Sequence, residues 1–276
     1  MDTRFPAVEG RFYPGSKREI EALIEQIDQR NRYEELKMSD IDVIGVILPH
    51  AGHIYSGYQT IPFFKYLCRE NIIPETLIII HPNHSGYGAP IAMDKHKYWN
   101  NAMGSMEIDK ELAKLLPYPE DSRAHDNEHS CEVILPFAQY YINKHDLRIL
   151  PISMSRQTAN EAKKLAENIE VAAKELNRDV LVIASSDFSH FQTAKEGYRQ
   201  DQFIIDQIVA DNIEGLEKVV YDHRISACGT GPIMSLMAYS RIVSQEYRTK
   251  ILARGHSGEV SPSSSVVDYI SMLFYY

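Results

Sequence analysis

Three histidines stand just past three apolar runs. Residues 43–48 lead into Pro49-His50-Ala51-Gly52-His53, and residues 76–80 into His81-Pro82-Asn83-His84-Ser85-Gly86. Residues 180–184 lead into Ser185-Ser186-Asp187-Phe188-Ser189-His190. Imidazole binds metal ions and moves protons near neutral pH, and a nearby carboxylate such as Asp187 can orient it. Seven of the eleven histidines fall in these segments or in residues 125–129. Scattered surface histidines would not collect there.

Two further segments carry chemistry. Ser226-Ala227-Cys228-Gly229-Thr230-Gly231-Pro232 has the glycines and proline of a tight turn opening a helix. A cysteine there has its thiolate favoured by free N–H groups, as a soft metal ligand or a nucleophile. Glu128-His129-Ser130-Cys131-Glu132 leads into an apolar pattern, and His129 and Glu132 share a face where that helix has begun. Each residue alone has a plainer role. One histidine after a strand more often caps or hydrogen-bonds, Cys228 alone is more often structural, and Glu128 and Glu132 suit a helix start. Three histidines at equivalent places weigh toward a metal site. His53, His96, His145 and His223 read as ordinary surface residues or supports behind the site. Cys68, in an apolar helical pattern, reads as a small buried residue.

The elements that position these residues alternate. Strands are predicted over 43–48, 76–80, 91–94, 148–152, 180–184, 250–253 and 266–273. Most are continuous Ile, Val and Leu runs, the mark of strands covered on both faces. Helices are predicted over 17–30, 58–70, 110–116, 130–144, 159–176, 194–211, 213–220 and 232–244. In 159–176, Ala162, Leu165, Ala166 and Ile169 recur at helical spacing. The alternation predicts an α/β fold: a mixed, mostly parallel central sheet with helices on both faces. Residues 263–276 have no helix after them and can enter the sheet antiparallel. Parallel sheets bind ligands beyond their carboxyl strand ends, where these histidines stand. No repeat or linker divides residues 1–276, which read as one domain.

Charge and composition exclude other classes. With 38 acidic and 29 basic residues the net charge is −9. Such a surface repels phosphate backbones and anionic lipid, so no nucleic-acid and no membrane partner is expected. The densest basic stretch, residues 30–32, holds two charges. Apolar runs fall far short of the ~20 residues of a spanning helix, and the N-terminus lacks a secretory pattern. Three widely spaced cysteines imply no disulfide framework, which fits a cytoplasmic location.

At these motifs the sequence resembles the Memo family. The matching stretches are Leu48-Pro49-His50-Ala51-Gly52 with Tyr55-Ser56-Gly57, then Pro82-Asn83-His84, then Glu128-His129-Ser130 with Glu132 and Leu135-Pro136-Phe137. They continue with Ser185-Ser186-Asp187-Phe188-Ser189-His190, Cys228-Gly229 with Pro232, and Ser257-Gly258-Glu259-Val260 with Ser264-Ser265-Val266-Val267. Each is modest alone, and their order over nearly the whole chain is specific. The resemblance implies a fold similar to class III extradiol ring-cleaving dioxygenases, a non-haem iron group with two histidines and a carboxylate. It implies His50, His84 and Cys228 as metal ligands, with Asp187 and His190 lining the pocket and His190 in the acid–base place. His81 stands where the family often has glycine, so His84 is favoured as the ligand. His81, Glu128, His129 and Glu132 are expected in or behind the pocket.

Two imidazoles and a thiolate suit copper, zinc or iron. A cysteine in place of the carboxylate is softer and oxidisable, unlike a ring-cleaving dioxygenase. The first expectation is therefore a metal-dependent redox or dioxygenase-like enzyme acting on a small molecule or peptide. The resemblance also implies two alternatives: a non-catalytic module for phosphotyrosine-type peptides, or an accessory protein in a radical-SAM-linked pathway (the AmmeMemoRadiSam system). A scarcity of clustered arginines argues against strong phosphate capture. A metal-free alternative has Cys228 as nucleophile with His190 or His129 as base.

Overall fold

The computed structural model describes residues 2–30, 33, 35–142 and 146–276. The first elements are β1 (Thr3–Arg4), α1 (Lys17–Gln29), β2 (Val43–Leu48), α2 (His53–Arg69), β3 (Thr76–Pro82), β4 (Ile91–Met93), β5 (Tyr98–Asn101) and β6 (Gly104–Ile108). Then come α3 (Lys110–Leu115), α4 (Leu135–Tyr141), β7 (Arg148–Met154), α5 (Ala159–Leu176), β8 (Val180–Ser185) and β9 (His190–Gln192). The chain ends with α6 (Ala194–Val209), α7 (Ile213–His223), α8 (Thr230–Val243), β10 (Arg248–His256) and β11 (Val266–Tyr275).

The sheet runs β1-β5-β6-β7-β3-β8-β2-β11-β10, with β4 paired to β7 and β9 to β11. Its centre, β7-β3-β8-β2, is parallel and buried. Ile and Val runs cover both faces of these strands, so each needs a helical layer on either side. α8 packs on β2, β3 and β8 and against α5, while α2 packs on β2, β10 and β11 and against α1 and α4. β11 pairs antiparallel with both β2 and β10. The fold is thus α/β, with a mixed, mostly parallel sheet between helices. Because β2, β3 and β8 are parallel neighbours, the turns after them open at one edge.

Several boundaries differ from expectation. α2 begins at His53 rather than 58, because Ser56 and Gly57 are buried inside the helix instead of forming a turn. Residues 130–144 do not form one helix. A 3₁₀ turn at Glu132–Ile134 precedes α4, which restarts with Pro136 in its first turn. Residues 143–145, and with them His145, lie outside the described residues, as do residues 31 and 32 of the basic stretch. The polar hairpin of β5 and β6 lacked an apolar run to announce it. Cys68 is exposed, not buried: it lies near the end of α2 on the helix's outer side.

Candidate metal centre

His50 follows β2 and is almost wholly buried. Its backbone N–H donates to Asp187 Oδ1 at 2.8 Å, which ties the β2 turn to the β8 turn. Its Nδ1 lies 2.7 Å from Ser185 Oγ, and that hydroxyl spends its hydrogen on Ser130 O at 2.6 Å. Ser185 therefore accepts, His50 carries its proton on Nδ1, and Nε2 is left with a free lone pair. That lone pair faces Cys228 Sγ at 3.1 Å.

His84 follows β3 and is exposed. Its Nδ1 donates to Glu128 Oε1 at 2.9 Å and its backbone N–H to Glu128 Oε2 at 2.6 Å. Glu128 is buried and also accepts from the N–H groups of His129 and Ser130 and from Ser130 Oγ. A carboxylate on Nδ1 again leaves Nε2 bare, the arrangement by which proteins orient metal-binding histidines. The donor atoms of His50, His84 and Cys228 all lie within 4.8 Å of one another. Ligands around one ion at metal–ligand distances of ~2.0–2.3 Å stand roughly 3–4 Å apart, so small rotations bring this set onto a common ion. Two imidazoles turned by built partners, plus a thiol, fit a borderline or soft transition metal.

Cys228 precedes α8. Its N–H donates to Asp187 O at 3.2 Å, and the Asp187 N–H donates to its sulfur at 3.3 Å. The turn approaches so closely that a Cβ on Gly229 would lie 2.2 Å from Ser185 O. Glycine is therefore required beside the cysteine.

Electrostatics follow burial. Burial, then the neighbouring His129 and His84, hold the His50 imidazole well below its ordinary value. Burial opposes charge on His84 too, but the Glu128 hydrogen bond and charge outweigh it and raise the group. Glu128 is depressed well below the carboxylate range: burial works upward, and His84, His81 and His129 together overcome it. Burial, reinforced by Asp187, pushes the Cys228 thiol well above its usual range. Burial pushes Asp187 up to about 6, against the His50 N–H and the charges of His190 and His84.

The other expected residues fall in different places. His129 stacks on His84 with ring centroids 4.8 Å apart and meets the His50 ring edge-on at 5.5 Å. His190 is half-buried; its Nδ1 donates to Ser226 O at 2.8 Å, so its Nε2 is bare as well. Asp187 donates nothing to His190 and receives nothing from it; its Oδ1 serves His50. His81 is buried behind the pocket, against His125 at 3.3 Å and Ser130 at 3.2 Å. Glu132 faces away, binding Arg4, Tyr13 and the N–H groups of Ala7 and Val8. His53 is a core residue, tilted on Phe137 with Nε2 donating to Val133 O. His96 is buried on Asp94, and His223 is exposed and stacked on Phe203.

Sequence reasoning missed Ser185, Ser226 and Phe12. Ser185 was within reach, being the last residue of its strand. Phe12 contacts His129 edge-on at 4.9 Å from a distant loop, and no local pattern marks that.

Likeness to known proteins bears on the family and the fold. The chain matches the family profile of Memo-like protein over residues 4–273. It is 34% identical to a MEMO1 family protein of Methanococcoides burtonii, over 98% of this chain and 99% of that one. It is 37% identical to a MEMO1 family protein of Pyrobaculum arsenaticum, over the full length of both. An uncharacterized protein from Escherichia coli K12 shares the fold at a TM-score of 0.56 and 11% identity, covering 84% of this chain and 99% of its own. With a full-length profile match and full-length relatives above 30% identity, this chain belongs to the Memo family.

Proposed function

We propose that this chain is a metal-dependent redox or dioxygenase-like enzyme whose divalent transition metal (iron, copper or zinc) is held by His50, His84 and Cys228. The observation that carries this reading is the convergence of the three donor atoms within 4.8 Å, with Ser185 and Glu128 orienting the two imidazoles. A bound ion would supply Lewis acidity and, for iron or copper, one-electron chemistry at positions the three side chains leave open. The protein's own part is positional. Glu128 fixes His84, Ser185 fixes His50, and Gly229 lets the cysteine turn close on β8. The bare Nε2 of His190 is a proton acceptor beside the buried Asp187 carboxyl, which supports an acid–base role for the pair. His129 closes the wall against both ligand rings. The three free thiols support a reducing, cytoplasmic setting.

The test is direct. Protein purified without chelator is assayed for metals, then titrated with Fe(II), Cu(II) and Zn(II) against a competing chelator. About one equivalent is expected on the wild type, and loss of binding in a His50→Ala/His84→Ala double variant. Less than about a tenth of an equivalent on the titrated wild type overturns the reading.

A further inference from the structure

Away from the histidines, a second cluster of ionisable groups is sealed in the protein. Asp201 on α6 and Asp268 on β11 are both fully buried. Asp201 Oδ1 accepts from the Ser189 N–H at 3.0 Å and from Ser189 Oγ at 2.6 Å. Asp268 pairs with the same stretch through its backbone: its N–H donates to Ser189 O, and its carbonyl accepts from the Phe188 N–H, both at 2.9 Å. Every polar atom of Ser189 is thus claimed by these two aspartates. Ser189 lies between Asp187 and His190.

Three oxygens of the pair, Asp201 Oδ2 and both of Asp268, have no donor. Buried carboxylate oxygens without donors are costly, and two like charges in contact are costlier. The packing keeps the carboxyls together: a Cβ on Gly197, one helical turn before Asp201, would lie 2.0 Å from Asp268 Oδ2. The facing groups are Arg254 from β10, with Nη2 3.7 Å from Asp201, and His256, directly opposite Asp268 where β10 pairs with β11, together with Glu259, Tyr198 and Tyr269. One guanidinium against two carboxyls leaves a negative excess, to which Glu259 adds.

We infer that Asp201 and Asp268 are a positioning pair that shares one proton, with the Asp268 carboxyl donating to Asp201, and that this proton holds the loop bearing Asp187 and His190. The pair touches neither the three proposed ligands nor a reacting atom, so the inference stands apart from the metal reading. Loss of the proton places two charges side by side beneath Ser189 and loosens its anchor. Consistent with this, burial and then Asp201 raise the Asp268 carboxyl to about 8.

Two measurements on the full chain test it. Infrared spectra at pH 7 should contain a protonated-carboxyl C=O band that moves with ¹³C-labelled aspartate and disappears in Asp268→Asn. In NMR, the His190 ring signals should have an inflection near pH 8 that reports the pair. Asp268→Asn keeps an N–H donor toward Asp201, so it should fold, hold the loop and lose that inflection. Asp201→Asn, which removes the acceptor of both Ser189 donors, should shift the His190 signals at every pH. A wild type with no protonated-carboxyl band at pH 7 overturns the inference. So does an inflection near pH 8 that persists in Asp268→Asn. Failure of Asp201→Asn to fold leaves both decisive readouts intact, since neither uses that variant.

Discussion

His50 Nε2 and Cys228 Sγ meet at 3.1 Å although 178 residues separate them. Both are neutral in the protein alone, because burial suppresses the imidazolium and the thiolate alike. The thiol then donates to the imidazole, and this hydrogen bond occupies the place an ion would take.

Under the proposed reading, metal binding must therefore expel the Cys228 proton. With the thiol raised it stays protonated through neutral pH, and with His50 depressed it contributes no proton. Affinity should rise about tenfold per pH unit between roughly pH 7 and 8.5, with about one proton released per ion. On the acid side the raised His84 steepens the slope. Chelator competition across a pH series checks this, and a flat profile contradicts it.

Under the proposed reading Glu128 orients His84 and is not itself a ligand. Glu128→Gln should lower metal affinity about 10–100-fold with little change in circular dichroism, since the amide oxygen can still accept from Nδ1. His84→Ala should lower it further. Equal affinities in wild type and Glu128→Gln would argue that His84 is not a ligand.

Glu132 is structural. Its carboxylate and the Arg4 guanidinium are each 1% exposed and 2.8 Å apart. Glu132→Ala strands the Arg4 charge and should cost about 3–5 kcal/mol in urea unfolding. Arg4→Met/Glu132→Leu should recover only part of that loss, because the Tyr13 hydroxyl and the Ala7 and Val8 N–H groups still lose their acceptor. Metal affinity, measured on the folded fraction, should be unchanged.

The core histidine His53 makes stability depend on acid. Burial lowers it to about 4 in the folded chain, while the unfolded chain binds its proton near 6.5. Its stabilising contribution is present above pH 6.5 and is lost as pH falls toward 4. His53→Gln, which still donates to Val133 O, should lose less stability over that window than wild type. The difference should reach about 3 kcal/mol at pH 4. Parallel pH profiles of the two proteins would rule this out.

What the sequence made legible follows from how local each signal is. Residues 159–176 read as a helix from spacing alone and form α5 with the same bounds, aided by Thr158 accepting from the Glu161 N–H. The buried strands announced themselves by apolar runs, and the antiparallel last strand by its lack of a following helix. β5, β6 and β9 did not: β5 and β6 are short polar strands of one hairpin with no apolar run, and β9 leans on β11 far along the chain. The histidines after β2 and β3 were visible because strand direction, a local property, fixes where they emerge. Glu132 was less so. It stands four residues from Glu128 beside the same histidine motif, yet its partners Arg4 and Tyr13 come from the far N-terminus. Likewise, nothing local connects Asp201 to Asp268.

The three proposed ligands differ sharply in access: His84 is exposed, Cys228 half-buried and His50 buried. Under the proposed reading, His84 would be the residue within first reach of an arriving ion, and Cys228 and His50 would hold it from inside. Capture and retention would then belong to different residues. Changes at His84 would act mainly on how fast the site fills, and changes at His50 on how long it stays filled.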